Sequence, residues 1–69
     1  MNKFAERLKE LRNEKGISQI KLAKFINVSD ASINRWEKDL NSPSIESIIE
    51  LCKFFECSSD YLIGLQDWT

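Results

Sequence analysis

The chain has 69 residues, of which 42% are hydrophobic and 30% charged, and it contains no histidine. This length supports one small domain with a marginal core, and the missing histidine excludes catalytic triads, Cys–His dyads and histidine-ligated metal sites. The net charge of −1 would disfavour nucleic acid as a partner, but residues 1–38 carry a net +4 and residues 39–69 a net −5, which indicates one basic face. We therefore expect no enzyme, no metal site and no cofactor.

The first helix is predicted over residues 3–15. Phe4, Leu8 and Leu11 recur there at helical spacing, opposite a face of charged residues. Gly16 follows and suits the left-handed conformation that commonly ends a helix.

Two short helices are predicted next, over residues 19–26 and 30–38. Ser18 and Ser29 are favourable N-caps for them, and Asn27 suits a left-handed turn between them. Helices of about eight residues joined by such a tight turn have the geometry that lays the second helix in a DNA major groove while the first crosses the backbone.

A fourth helix is predicted after Ser44, and a short fifth helix between Ser58 and Gly64. The inward residues of the fourth would be Ile45, Ile48, Ile49, Cys52 and Phe55, which recur at a spacing of three or four. No strand-like alternation occurs, so we predict an all-α fold of five helices. Isolated helices this short are marginal in water, so they must share one core. That core would contain Leu8, Leu22, Ile26, Ile33, Trp36, Ile48, Leu51 and Leu62. We expect one domain over residues 1–65, and a C-terminal tail or the start of a linker over residues 66–69.

The two cysteines, Cys52 and Cys57, are too few for a disulfide framework and do not form a CxxC pair. We interpret them as small core residues in a reducing compartment, with redox sensing as the alternative. Residues 1–15 are too charged for a secretory signal, and no segment reaches the roughly 18 apolar residues of a membrane span. We therefore expect a cytoplasmic location and no membrane partner.

The ordered motifs resemble the lambda-repressor-like helix-turn-helix family of the Xre and Cro type. They are S-Q-x-x-L-A at 18–23, N-V-S at 27–29, S-I-x-R-W-E at 32–37, S-P-S-I-E-S-I-I-E-L at 42–51 and S-S-D-Y-L-I-G at 58–64. The resemblance covers residues 3–65 with the spacing intact. It implies a compact five-helix DNA-binding domain in which helices two and three form the helix-turn-helix.

The exposed face of the third helix is the candidate for reading bases. At about 100° per residue, Ala31, Asn34, Arg35 and Lys38 share one face, whereas Ile33, Trp36 and Leu40 share the other. Arginine can bond bidentately to guanine, asparagine to adenine, and an alanine methyl can meet a thymine methyl. The resemblance implies base contacts at Asp30, Ala31, Ser32, Asn34 and Arg35. For Asp30 helix capping is a second interpretation, and for the whole face the alternative is ordinary solvation.

Phosphate contacts are expected at the edges of this helix pair. The predicted set is Gln19, Lys21, Lys38, Asn41 and Ser42. In the family the residue at the position of Gln19 commonly meets phosphate, and a helix N-terminus favours an anion. For the lysines, solubility is the alternative explanation. Arg12 and Glu37 stand where the family pairs an arginine with a glutamate, so we expect a structural salt bridge that locks the first helix to the third.

Three positions depart from the family, because many relatives carry glycine at Asn27, Asp39 and Glu56. Asparagine tolerates a positive φ, but aspartate and glutamate tolerate it less well. We therefore expect the turns at Asp39 and Glu56 to adopt other shapes. The loop 39–41 also lacks the basic residues often found there, which predicts weak non-specific affinity for DNA.

The resemblance implies sequence-specific binding of double-stranded DNA by a transcriptional regulator, a repressor of phage or mobile-element type. It also implies a homodimer on a near-palindromic operator, bacterial or phage-encoded and nucleoid-associated. Tyr61, Leu65 and Trp68 are candidates for the dimer contact, with folding back onto its own domain as the alternative for Trp68. The competing function is a helical protein-interaction module of the same fold with weak or no DNA binding, which the net acidity and Asp30 favour.

Overall fold

A computed structural model describes residues 3–68 and shows five helices with no strand among them. Met1, Asn2 and Thr69, which belong to the expected domain and tail, lie outside the described residues. The helices are α1 (Phe4–Glu14), α2 (Gln19–Ile26), α3 (Asp30–Glu37), α4 (Ile45–Phe55) and α5 (Ser59–Ile63). The predicted all-α class is confirmed. Within residues 3–68 no helix is both long enough and apolar enough to cross a membrane.

The same serine cap begins four of the helices. The N-cap residues are Ser18, Ser29, Ser44 and Ser58, and each hydroxyl accepts a hydrogen bond from the backbone N–H three residues further on. Each serine has an extended backbone, so its side chain can satisfy an N–H group that lacks a partner inside the helix. α1 begins after Lys3 without a side-chain cap.

All five helices end in the same way, with a residue in the left-handed conformation and a backbone hydrogen bond from the next residue to the carbonyl five positions earlier. The left-handed residues are Gly16, Asn27, Asp39, Glu56 and Gly64. The N–H groups of Ile17, Val28, Leu40, Cys57 and Leu65 donate to the carbonyls of Arg12, Ala23, Arg35, Cys52 and Asp60, respectively. This six-to-one bond is that of the Schellman motif, which closes only if the residue before the donor is left-handed.

The expectation of other turn shapes at Asp39 and Glu56 is therefore wrong. Their φ angles are 60° and 55°, close to the 61° of Asn27. A left-handed residue other than glycine carries strain, which is small for asparagine and aspartate and larger for glutamate. The closing hydrogen bond and the packing of the chain after each turn offset that strain.

One core lies between the helices. Phe4 of α1 meets Trp36 of α3 edge to face, with ring centroids 6.2 Å apart. The buried apolar residues are Phe4, Leu8, Leu11, Leu22, Ala23, Ile26, Ile33, Trp36, Leu51, Phe55 and Leu62. Seven of the eight predicted core residues are among them, and Ile48 packs against the cluster half-buried.

Three apolar residues that were expected to face inward are exposed instead. Leu40 is 69% exposed, because α3 ends at Glu37 and the left-handed Asp39 redirects the chain away from the helical face. Ile45 and Ile49 are 76% and 47% exposed. They lie one turn apart on α4, on a side that points away from Leu51 and the core.

Arg7 ties the end of the chain to α1, although it was not predicted to do so. Its guanidinium donates hydrogen bonds to the backbone oxygens of Tyr61 and Gln66 and to Oδ1 of Asp67. It also lies over the Tyr61 ring, 4.1 Å from the centroid. Arg7 is only 8% exposed, so one buried cation fixes the course of the residues after α5.

The two cysteines lie side by side where α4 ends. The Cys57 N–H donates to the Cys52 carbonyl at 3.1 Å, and both thiols are free and half-buried against the core. Burial is the main cause that raises the pKa of both thiols, that of Cys57 to about 11. Redox sensing favours thiols of low pKa, so the structure favours the packing interpretation.

Candidate nucleic-acid interface

The outer face of α3 carries the predicted base-reading residues. Ile33 and Trp36 are buried and hold the helix on the core. On the opposite side Ala31 and Arg35 are exposed and Asn34 is half-buried. The face therefore presents a methyl, a guanidinium and an amide on a rigid helix, which suits direct contact with base edges.

The N-terminus of α3 holds the other two predicted base contacts. Asp30 is exposed in the first turn, where its carboxylate interacts favourably with the helix dipole. The Ser32 hydroxyl lies 2.9 Å from the hydroxyl of the N-cap Ser29. The cap therefore engages Ser32, while Asp30 extends into solvent.

Gln19, the predicted phosphate contact at the start of α2, joins two residues of α3. Its Nε2 donates to Glu37 Oε1 at 3.1 Å, and its Oε1 accepts from Asn34 Nδ2 at 3.2 Å. The structure therefore brings a predicted phosphate contact against a predicted base contact. Sequence reasoning missed both bonds, because they join residues 15 and 18 positions apart through the crossing of two helices.

Arg12 and Glu37 form a nearly buried ion pair beneath this interface. Arg12 Nε lies 2.6 Å from Glu37 Oε2, and the two side chains are 15% and 2% exposed. A second guanidinium nitrogen donates to Glu37 Oε1 at 3.1 Å, and the third donates to the Ile17 carbonyl. The hydrogen bond to the Glu37 carboxylate raises the pKa of the Arg12 guanidinium, so Arg12 keeps its positive charge.

The remaining predicted phosphate contacts are all exposed. Lys21 is exposed in the first turn of α2, and Lys38 is exposed directly after α3. Asn41 and Ser42 are exposed in the segment that leads to α4. Two ammonium groups and several neutral hydrogen-bond donors are therefore accessible at the surface. Among residues 3–68, no three side chains of the Cys, Asp or Glu type are grouped to hold a metal ion.

The helix-turn-helix family model matches residues 8–62 of the chain. The chain is 36% identical over 60 residues to the repressor protein C2 of Salmonella phage P22, which covers 87% of this chain and 28% of that protein. It is 30% identical over 61 residues to the transcriptional regulator ImmR of Bacillus subtilis strain 168, covering 88% of this chain and 48% of that protein. The chain thus spans less than half the length of these two relatives.

The fold is also that of a repressor whose structure was solved in complex with an operator. The P22 c2 repressor bound to a synthetic operator superimposes with a TM-score of 0.83 and 35% sequence identity, covering 87% of this chain and 91% of that one.

Proposed function

Because the chain belongs to the lambda-repressor-like helix-turn-helix family, we propose that it is the DNA-binding domain of a transcriptional repressor. The domain comprises residues 1–65, and Arg7 holds Gln66 and Asp67 of the following tail against it. It binds double-stranded DNA sequence-specifically by placing α3 in the major groove. The observation that carries this proposal is the polar face of α3, held outward by the buried Ile33 and Trp36. The repressor of the similar complex is bound to an operator, which supports the same activity here.

The base contacts and the phosphate contacts have different roles. Asp30, Ala31, Ser32, Asn34 and Arg35 contact bases and supply specificity. Gln19, Lys21, Lys38, Asn41 and Ser42 contact phosphates and supply register. Only two of the phosphate contacts are cationic, so directed contacts, more than charge, must provide the affinity.

The operator is near-palindromic, and two copies of the chain bind it as a homodimer. A dimer of this helix pair reads half-sites about 34 Å apart, one turn of the double helix. Leu65 and Trp68 are 73% and 69% exposed, so both are available for the contact between copies. The regulator acts in a bacterial cytoplasm, at the nucleoid, and has no catalytic role.

A selection from randomised duplexes tests the proposal. The expected result is an enriched, near-palindromic sequence, bound with a salt dependence set by the neutralised phosphates. Two lysines per domain predict a slope of log K against log salt of roughly −2 per domain, or about −4 for a dimer. If no sequence is enriched, or if binding does not respond to salt, the domain is a protein-interaction module instead.

Arg35→Ala tests the direct readout. Loss of a bidentate contact to one guanine should weaken binding by roughly 1–3 kcal/mol and relax the preference at that base pair alone. Lys38→Ala is the matched control, because loss of a phosphate contact weakens all sequences equally. Binding isotherms on the selected operator and its single-base variants distinguish the two. An equal loss on every sequence would make Arg35 a phosphate contact.

A further inference from the structure

A chain of hydrogen bonds runs from Arg12 through Glu37 and Gln19 to Asn34, and the donor and acceptor of each bond are fixed. The guanidinium of Arg12 only donates, and both carboxylate oxygens of Glu37 accept from it. Gln19 contacts Glu37 Oε1 at 3.1 Å, so the contacting atom must be the amide nitrogen of Gln19. This assignment follows from the chemistry of the partner and leaves no choice between the two amide orientations.

The orientation of the Gln19 amide in turn fixes the orientation of an amide on α3. With its nitrogen toward Glu37, Gln19 turns its oxygen toward Asn34, and the atom of Asn34 at 3.2 Å is therefore the amide nitrogen Nδ2. Asn34 is half-buried on the outer face of α3. Its remaining groups, the oxygen Oδ1 and the second N–H of Nδ2, are the ones left for a ligand.

We propose that Gln19, held by Glu37 and Arg12, fixes the sense of the Asn34 amide so that Asn34 accepts adenine and rejects guanine. The inference rests on the proposed function. Adenine presents the donor N6 and the acceptor N7 in the major groove, which match Oδ1 and one N–H of an asparagine. Guanine presents two acceptors, O6 and N7, and O6 would face the fixed Oδ1 without a proton between them.

Asn34 cannot adapt to guanine by turning its amide over. A turned Asn34 would direct Oδ1 at the Gln19 oxygen, which places two acceptors against each other. Gln19 cannot turn in response, because its oxygen would then face the Glu37 carboxylate. Arg12 and Glu37 therefore act on base choice through Gln19, as positioning residues, in addition to holding α1 on α3.

The test compares duplexes with A or G at the base pair whose preference Asn34→Ala abolishes. The wild-type chain should prefer A by roughly tenfold to a hundredfold, the range of a good bidentate contact. In Gln19→Ala the amide of Asn34 is free to turn, so the preference should fall below about threefold. Gln19→Ala in the Asn34→Ala background should not change the preference further.

Lys21→Ala is the matched control, since it removes a proposed phosphate contact from the same turn of α2. It should weaken binding to both duplexes and leave their ratio unchanged. If Gln19→Ala also leaves the ratio unchanged while lowering both affinities, Gln19 is a phosphate contact only and the inference is overturned. If the wild-type chain selects no sequence at all, the proposed function fails, and the inference fails with it.

A measurement on the free protein distinguishes failure of the inference about Gln19 and Asn34 from failure of the proposed DNA binding. In the free protein one side-chain amide proton of Asn34 should exchange slowly with water and show a scalar coupling to the Gln19 side-chain carbonyl. Both signs should vanish in Gln19→Ala, while the backbone spectrum of α3 remains. Fast exchange of both Asn34 amide protons in the wild-type protein would overturn the inference whatever the DNA experiments show.

Discussion

At the scale of single residues, the Arg12–Glu37 pair balances the cost of burying two charges against the hydrogen bonds that they make. Removing two charges from water is costly, and only good geometry and further hydrogen bonds offset that cost. Here Glu37 accepts from Arg12 twice and from Gln19 once, so its nearly buried carboxylate is well satisfied. With both residues present, these hydrogen bonds offset the cost of burying the charges. With one partner removed, the other would be a buried charge without its counterion.

Arg12→Met should lower the free energy of unfolding by about 3–5 kcal/mol, because it leaves the Glu37 carboxylate without its cation. Urea denaturation measures the change, and a small domain has little stability to spare. The double variant Arg12→Met/Glu37→Met is the control, since replacing both charges by apolar side chains should recover most of the loss. A double variant no more stable than the single one would contradict this account.

Single residues also show where prediction from the sequence stops. Positions 4, 7, 8 and 11 share a helical face, so the place of Arg7 beside Phe4, Leu8 and Leu11 could have been predicted from the sequence. Its partners Gln66 and Asp67 could not, because they depend on where the chain runs after α5. The contact of Gln19 with Asn34 likewise depends on how closely α2 crosses α3. The spacing of residues within one helix determines neither the contacts of Arg7 after α5 nor the contact between Gln19 and Asn34.

At the scale of elements, the beginnings of the helices could be predicted and their ends only in part. A serine N-cap acts through its own side chain and is visible in the sequence. The left-handed end at Asp39 or Glu56 depends on a hydrogen bond that closes across six residues. That bond outweighs the backbone preference of one residue, so the residue type at Asp39 and Glu56 alone predicted the wrong turn.

Glu56→Gly should therefore stabilise the domain by about 1 kcal/mol, because glycine adopts the left-handed conformation without the strain of a Cβ atom. The gain should appear as a higher urea midpoint with an unchanged slope. Glu56→Ala is the matched control: it removes the same charge from the C-terminus of α4 but keeps a Cβ atom. Equal stability of the two variants would show that the charge, and not the backbone, matters.

The end of α4 also makes a prediction about pH. Burial raises the pKa of the Cys57 thiol from 9.0 to about 11, so the folded state keeps its proton where the unfolded chain loses it. The contribution of Cys57 to stability is thus complete below pH 9 and declines as pH rises toward 11. Cys52→Ser removes the neighbouring thiol, but burial is the main cause of the raised pKa of Cys57. The alkylation rate of Cys57 in this variant should therefore still rise beyond pH 9. A plateau at pH 9 would contradict this.

At the scale of the whole molecule, the net charge of −1 divides into a basic and an acidic part. Residues 1–38 carry a net +4, and residues 39–69 carry a net −5. Like charges on the two acidic parts of a dimer repel each other, so an interface there needs apolar contacts that outweigh the repulsion. Leu65 and Trp68 are apolar and exposed, and Arg7 holds the residues between them against α1 and α5.

Leu65→Ser/Trp68→Ser should therefore weaken the proposed dimer without unfolding the domain, since neither side chain contributes to the core. Sedimentation analysis should show a larger dissociation constant of the dimer. Binding to a two-half-site operator should weaken, whereas binding to an isolated half-site should not change, because the α3 face is intact. Leu65→Met/Trp68→Phe keeps the apolar surface and should behave as the unmodified chain does. If half-site binding falls as much as full-site binding, these residues act on the domain itself and the dimer contact lies elsewhere.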